Sequence, residues 1–205
     1  TGAPNLTPWE KIVNTINDPG RGTITVAMIG KYVELAESYK SLTEALNHGG
    51  FANDCTINIV YVDSEEIEDK GAEASIRAAA NNAEISAILI PGGFGSRGSE
   101  GKIAAVKYAR ENKIPFLGIC LGLQMAVIEY ARNIAKISDA TSEEFDPKSK
   151  NLVIHFMEEQ KAILQKGGTM RLGSYPCQLK KGTLASKVYG SSLINERHRH
   201  RYEVN

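Results

Sequence analysis

The segment Gly118–Gly122, with the sequence G-I-C-L-G, combines a potential nucleophile with two small residues that a sharp turn requires. It follows the apolar run Ile114–Leu117 and precedes an amphipathic pattern, so it predicts a strand-to-helix turn of the form Gly-x-nucleophile-x-Gly. A helix N-terminus favours the thiolate, which is the reactive form of cysteine. We therefore predict nucleophilic catalysis by Cys120; the alternative is a small buried hydrophobic residue, the usual state of a free cysteine. Cys55 and Cys177 lack such a setting.

A second glycine-rich segment, Pro91–Gly98, follows the apolar run Ile85–Ile90. Its glycines match the spacing of a dinucleotide-binding loop, but that use needs an acidic residue at the end of the next strand, and none occurs there. Glycines also allow backbone N–H groups to turn toward an adjacent site. We therefore predict that this loop forms one side of an oxyanion hole and that the N–H of Leu121 forms the other. A purely structural glycine turn is the alternative.

A dense basic stretch, Glu196–Arg201, holds three arginines and two histidines. Nucleic acid is a possible partner for such a cluster, but the absence of interleaved aromatic residues and the neutral chain disfavour it. A solvated basic edge is the simple interpretation. The sharper hypothesis is recognition of a carboxylate by a guanidinium fork.

Both glycine-rich segments fall at the ends of strands in a regular alternation of strand and helix patterns. Four of each occur between residues 23 and 132, at roughly 30-residue spacing, which is typical of right-handed β-α-β crossovers. We predict an α/β fold with a parallel, mixed-edge sheet and helices on both faces, in which ligands bind beyond the carboxyl ends of the strands. The predicted strands are Thr23–Ile29, Thr56–Val62, Ile85–Ile90 and Ile114–Ile119, and the predicted helices are Tyr39–His48, closed by Gly49 and Gly50, Ala72–Ala80, Lys102–Glu111 and Leu121–Arg132.

The beginning of the chain, residues 1–22, predicts an interdomain linker and a short helix, and residues 23–205 predict the main domain. Thr7, Pro8 and Glu10 supply a cap, a first-turn proline and a capping-box acid. An ordinary N-terminal helix is an equally good interpretation of this segment.

Composition excludes several classes of protein. The 205 residues include 24 basic and 24 acidic side chains, so no net positive charge favours nucleic acid or an anionic membrane. The apolar runs are too short to span a bilayer, and residues 1–17 lack the basic segment followed by an apolar stretch that is typical of a signal peptide. Three widely spaced cysteines argue against a disulfide framework and a zinc site, and they predict a cytoplasmic location.

Four strings together resemble the class I (triad) glutamine amidotransferase family, in particular the C-terminal amidotransferase domains of CTP synthases. The glycine-x-cysteine-x-glycine turn alone would indicate only the broader family and its Cys-elbow relatives, whereas the last two strings are more specific. The strings are Pro91–Gly95 (P-G-G-F-G), Gly118–Gln124 (G-I-C-L-G-L-Q), Gly168–Gly173 (G-T-M-R-L-G) and Glu196–Asn205 (E-R-H-R-H-R-Y-E-V-N). Gly30–Leu35 also resembles the family, and the resemblance extends over essentially the whole chain. It implies a flavodoxin-like arrangement.

The resemblance implies hydrolysis of L-glutamine to glutamate and ammonia through a Cys120 thioester. It implies glutamine contacts from seven residues: Gly93, Leu121, Gly122, Leu123, Gln124, Glu144 and Arg201. Gly93 and Leu121 would hold the oxyanion, Glu144 would face the substrate ammonium, and Arg201 would pair with its carboxylate. No metal or cofactor is implied for this domain. A synthetase domain preceding Thr1 would bind ATP and magnesium and use the ammonia to convert UTP to CTP, in an enzyme expected to be a homotetramer, with the fragment alone a monomer.

One departure from the family concerns its general base, a histidine in a His-Pro-Glu step near the end of the domain. None of the four histidines is followed by Pro-Glu. We expect the domain to be truncated before this step, or a disordered tail to carry it, with His198 or His200 a minor alternative. The chain alone should then be impaired. Two other hypotheses stay open: an amidotransferase-like binding or regulatory module without turnover, and a Cys-elbow hydrolase or stress protein of the same fold.

Overall fold

The structure, a computed structural model, describes residues 4–161 and 170–205. The chain divides into two compact units, Thr1–Lys136 and Ile137–Asn205. The start of the predicted linker, residues 1–3, and two residues of the G-T-M-R-L-G string, Gly168 and Thr169, lie outside the described residues.

The first unit is built on a four-stranded parallel sheet with the strand order β2-β1-β3-β4. Its strands are β1 (Thr23–Gly30), β2 (Thr56–Asp63), β3 (Ala87–Ile90) and β4 (Phe116–Gly118). The β3–β4 register pairs Ile90 with Gly118, so the carboxyl ends of these two strands lie side by side. The parallel sheet predicted from the sequence is confirmed.

Six α-helices and one 3-10 turn (Ala36–Tyr39) accompany this sheet. The helices are α1 (Thr7–Asn17), α2 (Lys40–Ala52), α3 (Ser64–Lys70), α4 (Ala72–Ala79), α5 (Ser99–Glu111) and α6 (Leu121–Asn133). Val26 and Met28 of β1 pack on the side of the sheet that faces Leu42 of α2. Ala27 and Ile29, which alternate to the opposite face, are fully buried as well. Both faces of the sheet are therefore covered, as predicted.

Helix α2 does not end at Gly49 and Gly50, as the sequence predicted, but continues through both. Gly50 is buried, and a Cβ atom there would lie 2.8 Å from the backbone oxygen of Cys55. This glycine therefore serves close packing of the returning chain rather than helix termination.

The start of α1 also differs from the prediction. Thr7 is the first helical residue and not the cap, because the Asn5 side-chain oxygen accepts its N–H at 3.1 Å and Leu6 occupies the capping position. Pro8 lies in the first turn as predicted. Trp9 and Val13, two apolar residues of this helix, are more than half exposed.

The second unit contains two small sheets. A three-stranded sheet joins β5 (Thr141–Ser142) in parallel and β9 (Tyr202–Val204) in antiparallel fashion to β6 (Leu152–Phe156). A separate antiparallel ribbon pairs β7 (Arg171–Gln178) with β8 (Leu193–Arg199). The unit also contains α7 (Glu158–Lys161) and α8 (Leu184–Tyr189). Across the described ranges of the chain, no helix has the length and apolar character needed to cross a membrane.

Candidate active site

Cys120 occupies a sharp turn between β4 and α6. Its backbone has φ 52° and ψ −107°, a conformation that residues with a side chain rarely adopt. The N–H of Ile119 donates to the Ile90 carbonyl oxygen at 3.0 Å, which attaches the turn to β3. The side chain of Cys120 is half-buried. The predicted strand-to-helix turn is therefore present, with the cysteine as its strained residue.

The two glycines that flank this turn allow the strand and the helix to touch. A Cβ atom at Gly118 would lie 2.5 Å from the carbonyl carbon and oxygen of Gly122, and a Cβ atom at Gly122 would overlap the Ile90 carbonyl oxygen. The obstructing atoms belong to the backbone and cannot turn away as a side chain would. This confirms that close approach requires glycine at both positions.

The glycine loop after β3 lies directly against the turn. A Cβ atom at Gly92 would be 3.4 Å from the Cβ of Cys120, and one at Gly93 would be 3.4 Å from Cδ2 of Leu121. Within the described part of the chain, no protein acceptor takes the amide hydrogen of Gly93 or of Leu121. Both amides are therefore available as hydrogen-bond donors.

A cavity of about 290 Å³ adjoins this arrangement. Gly93 and Leu121 contribute to its wall, together with Lys31, Tyr39 and Lys102. Its size is near the lower end of small-molecule sites, roughly 300 to 1,000 Å³. The residues predicted to supply the oxyanion donors thus line a space that a small ligand can enter.

Two lysines that the sequence analysis did not identify contact the glycine loop. Lys31 Nζ donates to the Phe94 carbonyl oxygen at 2.7 Å. Lys102 Nζ donates to the Gly98 carbonyl oxygen at 3.2 Å and to Ser64 Oγ at 3.0 Å. Lys102 is only 2% exposed, and its burial, with a smaller contribution from the positive charge of Lys31, lowers its pKa to about 8.

The remaining predicted residues of this unit, Gly122, Leu123 and Gln124, form the first turn of α6 with Leu121. The side chains of Leu121 and Gln124 are buried, whereas that of Leu123 is exposed. Any contact from Leu123 to a buried ligand would therefore come from its backbone.

Glu144 and Arg201, the predicted partners of the substrate charges, belong to the second unit. Glu144 follows β5, and its N–H donates to Ser142 Oγ at 3.2 Å. Arg201 precedes β9, and its guanidinium donates to the buried side-chain oxygen of Gln160 at 2.8 Å. Burial raises the pKa of Tyr202, the charge of Glu144 raises it further, and that of Arg201 lowers it. The two side chains therefore act on the same phenol, with opposite charges.

The histidines of the basic stretch contact each other in the second unit. The rings of His198 and His200 approach to 3.2 Å between ring nitrogens, and His198 stacks on Tyr175. Burial, and secondarily the charge of His198, lowers the pKa of His200. The seven predicted glutamine contacts thus divide between the units: Gly93 and residues 121–124 in the first, Glu144 and Arg201 in the second.

Comparisons with known proteins identify a family and several relatives that match this chain. The family model of the class-I glutamine amidotransferases matches residues 34–205. CTP synthases from Pelobacter propionicus and Geobacter sulfurreducens are each 58% identical over all 205 residues, and that of Syntrophus aciditrophicus is 51% identical. The chain spans 37% of the length of these curated relatives.

A solved structure gives the same result in three dimensions. The chain is similar to a Trypanosoma brucei CTPS glutaminase domain with bound acivicin, with a TM-score of 0.77 and 40% identity. The match covers 89% of this chain and 68% of the trypanosome chain. The chain therefore belongs to the class-I glutamine amidotransferase family, as an amidotransferase domain of the CTP synthase type.

Proposed function

We propose that this chain hydrolyses the side-chain amide of L-glutamine to glutamate and ammonia, with Cys120 as the nucleophile. One observation carries the proposal: Cys120 lies in a strained turn against Gly92, and the adjoining residues Gly93 and Leu121 line a cavity. Nucleophile and oxyanion donors in this arrangement suit acyl transfer.

The reaction begins when the Cys120 thiolate attacks the amide carbon and the carbonyl electrons move to oxygen. The Gly93 and Leu121 N–H groups stabilise the resulting oxyanion, and removal of one such donor typically costs about 100-fold or more in rate. Collapse of the tetrahedral intermediate breaks the C–N bond. The amide nitrogen gains a proton and leaves as ammonia. Water then attacks the γ-glutamyl thioester, which releases glutamate and the thiol.

Glutamine is held at its amino-acid end by opposite charges. Glu144 faces the α-ammonium group and Arg201 forms a charge-assisted pair with the α-carboxylate. Gly122, Leu123 and Gln124 contribute contacts from the first turn of α6. The hydrogen bond from Arg201 to Gln160 supports this role because it orders the guanidinium.

The general base of the family, the histidine of the His-Pro-Glu step, does not occur in this sequence. No histidine precedes Pro-Glu, so the chain alone is proposed to acylate Cys120 but to hydrolyse the thioester slowly. A second candidate function is a binding or regulatory module that holds glutamine without turnover.

In a complete enzyme, the ammonia would pass to a synthetase domain that aminates UTP with ATP and magnesium. This step rests on the similarity to CTP synthases, of which the chain spans 37%. The amidotransferase reaction itself is proposed to need no cofactor. A homotetramer assembled through the synthetase domain, a monomeric fragment, a cytoplasmic location and the lack of nucleic-acid or membrane partners stay predictions from the sequence.

Acivicin tests the proposal directly, since the related trypanosome domain has it bound. A thiolate adds to the chlorinated C=N carbon of its dihydroisoxazole ring and chloride leaves, which forms a stable thioimidate. We expect one acivicin-derived group per chain, located at Cys120 by peptide mass mapping, with glutamine slowing the reaction. Modification confined to Cys55 or Cys177 would refute the proposed nucleophile.

Cys177 provides the matched control because it is an exposed free cysteine outside the site. Cys177→Ala should keep full acivicin labelling, whereas Cys120→Ala should lose it. Ammonia release from glutamine then separates the two candidate functions. A burst of about one equivalent followed by slow turnover supports the hydrolase; glutamine binding without any burst supports the binding module.

A further inference from the structure

Lys31 contacts the glycine loop at the residues that immediately follow Gly93. Its Nζ donates to the Phe94 carbonyl oxygen at 2.7 Å, and it would lie 3.9 Å from a Cβ atom at Gly95. Lys31 also lines the cavity that Gly93 and Leu121 border. A cationic donor therefore holds the middle of the loop from the cavity side.

The backbone that carries Lys31 is itself well fixed. Lys31 follows Gly30, the last residue of β1, which pairs with both β2 and β3 in the sheet. The Tyr39 hydroxyl donates to the Lys31 carbonyl oxygen, and the Tyr39 ring stacks on Tyr61. The ammonium group thus extends from a rigid element.

The loop, in contrast, has little intrinsic order. Between Pro91 and Gly98 four of eight residues are glycines, whose backbone has the greatest conformational freedom. β3 fixes its beginning, and the bond from Lys102 to the Gly98 carbonyl fixes its end. The bond from Lys31 to Phe94 restrains the peptides between these two points.

We infer that Lys31 is a positioning residue, whose hydrogen bond to the Phe94 carbonyl holds the Gly93 amide toward the cavity for oxyanion binding. The inference rests on the proposed function. Preorganised donors stabilise developing charge better than mobile ones because no reorganisation is needed during the reaction. The ammonium charge also favours an anion in the adjacent cavity.

The test compares two reagents that attack the same thiol by different routes. Acivicin requires addition to an unsaturated carbon, with negative charge developing on the ring, so it depends on the amide donors. Iodoacetamide reacts by direct displacement at a saturated carbon and forms no oxyanion. The variants are Lys31→Met, Lys31→Arg as the conservative rescue, and Lys107→Met as a charge-matched control on the exposed side of α5.

We expect Lys31→Met to slow acivicin modification of Cys120 by about 10- to 100-fold, which is less than the roughly 100-fold or more for complete loss of an oxyanion donor, because the Gly93 amide itself remains. Iodoacetamide alkylation should change by less than about threefold, Lys31→Arg should recover most of the acivicin rate, and Lys107→Met should match the wild type. If Lys31→Met does not fold, Lys31→Leu, which also lacks a donor, repeats the comparison.

Two results would overturn the inference alone: an unchanged acivicin rate in Lys31→Met, or equal slowing with both reagents. Failure of the wild-type chain to react with acivicin at Cys120, while iodoacetamide does react, would instead overturn the proposed function on which the inference rests.

Discussion

The backbone strain at Cys120 makes a measurable prediction about stability. The residue has φ 52° and ψ −107°, a region that glycine occupies freely and that any residue with a Cβ atom occupies at a cost. Cys120→Ala and Cys120→Gly both remove the thiol, but only the glycine variant removes the strain. We therefore expect Cys120→Gly to be the more stable of the two.

The magnitude follows from two opposing effects. Relief of a strained backbone contributes about 1 to 3 kcal/mol. Glycine also gains freedom in the unfolded chain, which reduces that advantage by roughly 0.4 to 1 kcal/mol. The free energy of unfolding of Cys120→Gly should therefore exceed that of Cys120→Ala by roughly 0 to 2.6 kcal/mol, with a central value of about 1.3 kcal/mol.

Urea unfolding followed by circular dichroism measures this difference, and equal slopes in both variants would show that the unfolded states are comparable. Cys177 provides the control because it is exposed on β7, and its φ is not positive. There the order should reverse, with Cys177→Gly less stable than Cys177→Ala by about 0.5 to 1 kcal/mol. A Cys120→Gly variant no more stable than Cys120→Ala would refute the strained turn.

Three further predictions concern packing and charge. Gly122→Ala should lower the free energy of unfolding by about 1 to 3 kcal/mol, because its Cβ would overlap the Ile90 oxygen. Gly49→Ala, in an open part of α2, should be neutral or stabilising by up to about 1 kcal/mol in the same urea assay; equal effects would contradict the close contact. Burial lowers the pKa of Lys102 from 10.5 to about 8, so its protonated form destabilises the fold below pH 8 and this penalty fades as pH rises toward 10.5. The stability of wild type relative to Lys102→Met should thus rise by about 2 to 3 kcal/mol between pH 7 and 10, and a flat difference would count against a buried charge. Arg110 donates to both oxygens of Glu129, which is 1% exposed, so Arg110→Met should cost about 2 to 4 kcal/mol in thermal or urea unfolding. Arg77→Met, which breaks an exposed pair with Glu73, should lower the free energy of unfolding by less than about 0.5 kcal/mol. Similar losses in Arg110→Met and Arg77→Met would show that the burial of Glu129 does not determine the cost.

Much of the parallel sheet could be predicted because its strands are short apolar runs bounded by clear turn signals. Thr23–Gly30 and Thr56–Asp63 extend the predicted segments by only one residue each. Thr23–Gly30 is buried from Val26 onward, so its hydrophobic pattern is nearly continuous, whereas Thr56–Asp63 lies at the edge of the sheet and is mostly half-buried. The period and the spacing of such runs therefore predict the order of strands and helices in the sheet.

Some local features needed information from distant parts of the chain. Gly50 resembles a helix stop in the sequence, yet it packs against the Cys55 carbonyl inside a continuing helix. Helix α3 was missed because it is short and acidic, and its start depends on Asp63 accepting the Glu65 N–H. The burial of Lys102 depends on oxygens of Ser64 and Gly98, which no periodicity reveals.

For the candidate site, predictability from the sequence depends on whether a residue acts through its backbone or through its side chain. A turn that exposes Cys120 and frees the amide of Leu121 needs glycine at 118 and 122, because backbone atoms occupy the space of any Cβ there. Both glycines fall within one five-residue pattern, so the requirement is visible in the sequence even though the oxygen that excludes a Cβ at 122 belongs to Ile90. Recognition of a charged substrate end needs only one carboxylate or one guanidinium, and 48 charged residues in the chain supply such groups without a pattern. Glu144 and Arg201 therefore depended on family resemblance, whereas the nucleophile did not. Lys31 lies between these cases: its side chain acts on a backbone carbonyl, so only the three-dimensional contact with Phe94 distinguishes it from other lysines.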